Sequence, residues 1–202
     1  DIAFKSQMSL DNGVFYHGTT LYSFIKKENI KEDYKFFLTL FNSSLMWLFI
    51  KNTSSELRGG YFRFKTNYLE KFPLPKLNNI EEQKPFVQKA DLMLELNKNL
   101  QETKQNFINE LELEKIPKKL QNFEELSLEE FVKEYAKAKK LKFADKLQER
   151  NFKNNWKALF ENDSKIALDL KSQINITDKE IDKMVYKLYD LTDEEIKIVE
   201  SK

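Results

Sequence analysis

Phe37 to Pro75 reads FLTLFNSSLMWLFIKNTSSELRGGYFRFKTNYLEKFPLP, and this stretch sets the fold class. Its first part continues the most apolar run of the chain, from Asp33, an N-cap residue, to about Asn52, with Phe36, Phe37, Leu40, Phe41, Leu45, Trp47, Leu48 and Phe49. That spacing predicts a buried helix, interrupted by Asn42-Ser43-Ser44 and too short for the roughly 20 apolar residues that a bilayer span needs. Gly59-Gly60 then breaks the chain and Tyr61 to Lys65 alternates aromatic and basic residues, a strand pattern. Asn67 to Phe72 predicts a short helix, and Pro73-Leu74-Pro75 an extended exit.

Upstream, Ile2 to Lys5, Val14 to His17 and Thr20 to Ile25 are short β-branched or aromatic runs parted by Asp11-Asn12-Gly13 and Gly18, which predicts a small sheet. Downstream, Lys, Glu, Leu, Asn and Gln dominate and no glycine occurs, which predicts helices only. Glu81 to about Lys115 carries Phe86, Ala90, Met93, Asn97, Leu100, Lys104, Phe107 and Leu111 at heptad a/d spacing. Leu92, Leu94 and Leu96 widen that seam, so packing against several neighbours is favoured over an isolated coiled coil. Ser127 with Glu130, Thr177 with Glu180 and Thr192 with Glu195 read as capping boxes that open helices, with a further helix over Phe143 to Phe160 and a hairpin at Asp190-Leu191. The expected fold is therefore α+β: a small mixed region with a short sheet and a buried helix over residues 1–76, then an all-helical region over 77–202 that serves as scaffold.

The 202 residues carry 34 Lys and Arg against 33 Asp and Glu, a net charge of +1 that hides two halves. Residues 1–76 hold 11 basic and 7 acidic residues, a net +4, and the remainder 23 and 26, a net −3. With no cysteine and one histidine, His17, the sequence excludes disulfides, thiolate metal sites and cysteine nucleophiles, and argues against multi-histidine metal sites. Cysteine-free composition fits a reducing, cytoplasmic setting. Neither phosphate-binding glycine motif occurs, and carboxylates such as Glu110, Glu112 and Glu114 lie on solvated helix faces. The first residue is Asp1 rather than Met, with no signal peptide following, so the chain reads as a piece of a longer protein.

One polar constellation stands out between Lys51 and Lys76: Lys51, Arg58, Arg63, Lys65, Lys71 and Lys76 against Glu56 and Glu70, with Ser54, Ser55, Gly59, Gly60 and Tyr61 interleaved. Paired glycines let a backbone approach a ligand closely, arginine forks match phosphates and guanine edges, and hydroxyls add phosphate hydrogen bonds. That composition fits a nucleic-acid footprint. It fits equally an ordinary Gly-Gly turn, with Phe62 and Phe64 packed inward and Arg63 and Lys65 on the solvent face of a strand.

The order of these motifs resembles the TaqI-like C-terminal specificity domain of type IIG restriction-modification enzymes and adenine-specific DNA methyltransferases. The resemblance rests on Phe41-Asn42-Ser43-Ser44-Leu45, on Arg58 through Lys65, and on Tyr68-Leu69 through Phe72-Pro73-Leu74-Pro75. The tail from Thr177 to Glu200 looks like the ending of the same enzymes, with Asp190 where glycine is frequent. It implies a target recognition module that docks double-stranded DNA through Lys51, Ser55, Arg58, Gly59, Gly60, Tyr61, Arg63, Lys65 and Lys71. The partner is a catalytic methyltransferase domain of the same parent chain. The Asn/Asp-Pro-Pro-aromatic motif of such domains does not occur here, so the resemblance implies no enzyme activity for this piece. It also implies that S-adenosylmethionine, and magnesium where the parent cuts DNA, belong to other domains. The alternative is a helical spacer whose seam from Phe86 to Leu111 mediates self-association or subunit contact, as the long helices of type I specificity subunits do.

Overall fold

The fold is described from a computed structural model that places residues 2–11, 13, 16, 18 and 21–201. It is α+β, and 63% of the described residues are helical. The chain forms two compact units, Asp1–Met93 with Thr177–Lys202, and Leu94–Ile176.

In the first unit, β1 (Ile2–Ala3), β2 (Glu56–Leu57) and β3 (Tyr61–Arg63) form an antiparallel sheet of order β1-β3-β2. Leu21 to Ile25 is irregular instead of a strand, with Phe24 packed on Phe37 and Phe41, so its apolar residues are used for ring contacts rather than a ladder. The strand expected over Val14 to His17 falls outside the described residues apart from Tyr16, as does Thr20.

The apolar run from Asp33 forms two helices, α1 (Tyr34–Asn42) and α2 (Ser44–Thr53). Asp33 caps the first by accepting from the Lys35 N–H at 2.8 Å. Ser43 leaves the helical region (φ −69°, ψ 157°), ends α1 and caps α2; its hydroxyl donates to the Leu40 carbonyl at 2.7 Å and accepts from the Met46 N–H at 3.3 Å. The Asn-Ser-Ser interruption is thus a true break, because serine offers the backbone a hydrogen bond outside the helical ladder. α2 lies over the sheet: Met46 and Ile50 share a core with Phe62, Phe64 and Phe72, and Trp47 meets Phe62 edge-on at 5.3 Å. A second core joins Phe36, Phe37 and Leu40 to Phe86, Ile181 and Val185.

The 3₁₀ turn Ile80–Gln83 leads into α4 (Lys84–Glu110), after the short α3 (Thr66–Leu69). The heptad expectation holds only at its ends. Phe86, Ala90, Phe107 and Leu111 are buried, whereas Asn97 is exposed and Leu96, outside the a/d set, is buried. No single stripe lines this helix because its two ends serve different cores. The second unit packs Phe107, Leu111, Leu120, Phe123, Phe131, Val132, Tyr135 and Phe160 together, with Phe107 stacked on Phe123 at 3.8 Å. α5 (Leu128–Ala138) opens on the expected Ser127/Glu130 capping box.

The expected separate helices over Phe143 to Phe160 and from Thr177 are one helix, α6 (Lys146–Leu188). No proline or glycine lies between those ends, and Thr177 is a buried interior residue, 4% exposed, rather than an N-cap. The hairpin at Asp190-Leu191 and the Thr192/Glu195 capping box that opens α7 (Asp193–Glu200) are as read.

Candidate nucleic-acid interface

β2 and β3 form a hairpin in which Leu57 pairs with Tyr61, so Arg58-Gly59-Gly60 is a three-residue turn. Both glycines have positive φ, +92° and +77°, which L residues rarely adopt. A Cβ at Gly59 would also lie 3.4 Å from the Tyr61 ring, while Gly60 faces open space. The turn therefore favours glycine for its backbone at both positions.

Strand alternation sends Phe62 and Phe64 into the α2 core and leaves Tyr61, Arg63 and Lys65 on the other side. Arg58, Gly59, Gly60 and Tyr61 are exposed, and Arg63 and Lys65 are half-buried. Ser55 is exposed, its hydroxyl 3.2 Å from that of Tyr68, whereas the Ser54 hydroxyl is turned inward without a partner. Lys71 is exposed just beyond α3. Lys51, in the last turn of α2, lines a separate cleft of about 620 Å³ with Trp47, Lys179, Lys183 and Asp182. The structure thus gathers Arg58, Gly59, Gly60, Tyr61, Arg63 and Lys65 on one hairpin and sets Lys51 on another surface.

Among the described residues ion pairs engage ten lysines and leave most of the other cations, in both units, without one. Lys35, Lys89, Lys104, Lys119, Lys139, Lys153 and Lys171 each reach a carboxylate of another element or loop. Among the described residues no ion pair engages Lys51, Arg58, Arg63, Lys65 or Lys71. Two residues at this face, Ile2 and Phe4, entered the sequence reading only as part of a strand and not as site residues. Phe4 meets Tyr61 edge-on at 5.8 Å, a contact that only the β1–β3 pairing creates.

No group of three or more acidic or histidine side chains among the described residues is placed to hold a metal ion, and no described helix is long and apolar enough to cross a membrane.

Residues 1–74, which include the whole hairpin, match the model of the TaqI-like C-terminal specificity domain. Residues 79–185, more than half of the chain, match the model of the domain of unknown function DUF8810. The chain belongs to the DUF8810 family and carries a TaqI-like specificity domain at its start. No curated protein and no solved structure matches it. Residues 1–74, which carry the Gly-Gly hairpin, are the specificity part, and this domain implies a specificity module of the restriction-modification kind. The DUF8810 part takes in α4, α5 and most of α6.

Proposed function

We propose that this chain positions duplex DNA for a methyltransferase domain of its parent protein, with the Arg58-Gly59-Gly60 hairpin as the contact. The observation that carries this reading is the outward hairpin face, which gathers Arg58, Arg63 and Lys65, none of them ion-paired to another described residue, on a domain of the specificity family. Unpaired cations beside an open glycine backbone suit phosphate oxygens, and arginine forks suit guanine edges. Arg58, Arg63, Lys65 and Lys71 supply phosphate contacts, and some of Ser55, Arg58, Tyr61 and Arg63 also reach base edges. Lys51, on its separate cleft, would serve the backbone alone. S-adenosylmethionine belongs in this reading to the catalytic domain of the parent.

The test is fluorescence anisotropy of labelled duplex against salt concentration for the wild type and for Arg58→Ala/Arg63→Ala. Removal of a phosphate contact lowers the slope of log K on log salt by about one, so the double variant is expected to lose up to about two. A slope and a sequence preference both equal to those of the wild type would show that the hairpin is not the contact.

A further inference from the structure

The outward face of the sheet carries more than cations. Cross-strand partners of an antiparallel pair share a face, and the register sets Ala3 opposite Phe62 and Ile2 opposite Arg63. Phe62 is buried and Ala3 packs against the same core, so these two define the inner face. Ile2 and Arg63 belong to the outer face, and Phe4, two residues beyond Ile2, meets Tyr61 there with the rings perpendicular. All three apolar side chains stand open: Ile2 is 50% exposed, Phe4 58% and Tyr61 40%.

A single exposed phenylalanine needs no explanation, but this is a contiguous apolar patch, bordered by Arg58, Arg63 and Lys65. The cationic border, with no ion pair to another described residue, selects a polyanion. The apolar centre selects a surface that a polyanion presents between its charges and that is itself flat and apolar. Nucleic-acid bases meet both demands: thymine methyl groups in the major groove, and ring faces at a base step opened by an apolar wedge. The support beneath the patch is firm, because Phe62 and Phe64 are locked under Trp47.

We infer that Phe4 and Tyr61 form an apolar wedge that touches the bases of duplex DNA at one step of the recognised site, while the bordering cations hold the flanking phosphates. The inference rests on the DNA-positioning reading above and adds to it the residues that read sequence by apolar contact. Phe4 is a specificity residue in this account, and it lies outside the basic constellation.

The test selects bound duplexes from a random-sequence pool with the full 202-residue chain, then with Phe4→Ala, Tyr61→Ala and the milder Phe4→Leu, circular dichroism confirming the fold of each. The alanine variants are expected to keep the wild-type salt slope and to lose roughly tenfold in discrimination at one base pair or two adjacent ones, with Phe4→Leu between them and the wild type. A wild-type profile in both alanine variants would overturn the wedge and leave the hairpin cations as the contact. So would a wild type that binds duplex without preference, or a Phe4→Ala variant that changes only the salt slope. A wild type that binds no duplex at all would overturn the DNA-positioning reading and the wedge together.

Discussion

Asp182 accepts two hydrogen bonds from Ser44, one from its backbone N–H at 2.7 Å and one from its hydroxyl at 2.6 Å, across 138 residues of sequence. Ser44 is the first residue of α2, whose amide has no partner within the helix, and the carboxylate of α6 supplies one. This contact fastens the C-terminal part of the chain to the helix that roofs the sheet. Asp182→Ala leaves that amide and hydroxyl to find water at a part-buried site, and is expected to cost about 1–3 kcal/mol in urea unfolding. Burial raises the Asp182 pKa, and the Ser44 hydrogen bonds offset this only in part. The native state therefore holds this proton more tightly than the unfolded chain. Its contribution to stability is full below the ordinary carboxyl pKa and is lost as pH rises through the raised one. Asp182→Asn is expected to remove that component from a pH series of urea midpoints.

In the second unit Glu124 is 3% exposed, and one of its oxygens takes both Lys104, at 2.8 Å, and Lys171, at 2.5 Å. Burial pushes this carboxyl up, but the two lysine hydrogen bonds outweigh it and the pKa is lowered. The contribution of Glu124 is accordingly present above the ordinary carboxyl pKa and lost as pH falls through the lowered one. Glu124→Ala is expected to destabilise by about 2–3 kcal/mol, less than the 3–5 kcal/mol of a fully buried pair because both ammonium groups reach water. Calorimetry at neutral and acid pH checks both statements, since the gap between wild type and variant should narrow in acid.

Three helix ends use a left-handed residue that is not glycine: Glu112 has φ +47°, Lys140 φ +56° and Asp190 φ +50°. At the last two, the next residue donates back to the third-last helical carbonyl, Leu191 to Tyr186 at 3.0 Å and Leu141 to Ala136 at 2.9 Å, the pattern of a Schellman cap. Glycine adopts this conformation without the Cβ clash, so Asp190→Gly and Lys140→Gly are each expected to stabilise by about 0.5–1 kcal/mol. Thermal denaturation of the single and double variants tests the sign and the additivity.

The hairpin glycines should respond in the opposite direction. Gly60→Ala meets no neighbour and costs only backbone strain, about 1–2 kcal/mol. Gly59→Ala has the same strain, and its Cβ would meet the Tyr61 ring in ordinary contact, so a similar loss is expected. Urea unfolding measures both. Duplex anisotropy should show weaker binding for both variants wherever the turn geometry is what presents Arg58.

Short-range features were legible because their causes are local. Asp33 caps α1, Ser43 breaks the apolar run, Ser127 and Thr192 open helices with their partner glutamates, and Gly59-Gly60 breaks the chain ahead of the Tyr61 strand, all from the chemistry of adjacent side chains and backbone. The same logic overreached at Thr177, where a capping-box pattern sits inside an unbroken helix, because a cap forms only where the backbone already leaves the helical region. It overreached again at Leu21 to Ile25, where strand-forming residues found ring partners before they found a ladder. The glycine-prone position at Asp190 was visible as a departure from a pattern, and the positive φ there supplies its reason.

The candidate site divides in the same way. The sequence by itself determined the α+β class, the cationic excess of the first 76 residues and the strand that carries Tyr61 and Arg63 after the Gly-Gly break, since each follows from composition, alternation and turn chemistry within a few residues, whereas the pairing with Glu56–Leu57 that makes a hairpin came from the structure. Only the tertiary structure decided that Lys51 lies on a different surface, that Phe4 stands against Tyr61, and that Ser44 is held by Asp182. Those are pairings between segments far apart in the chain, set by strand register and helix packing, and no local propensity encodes which distant side chain arrives.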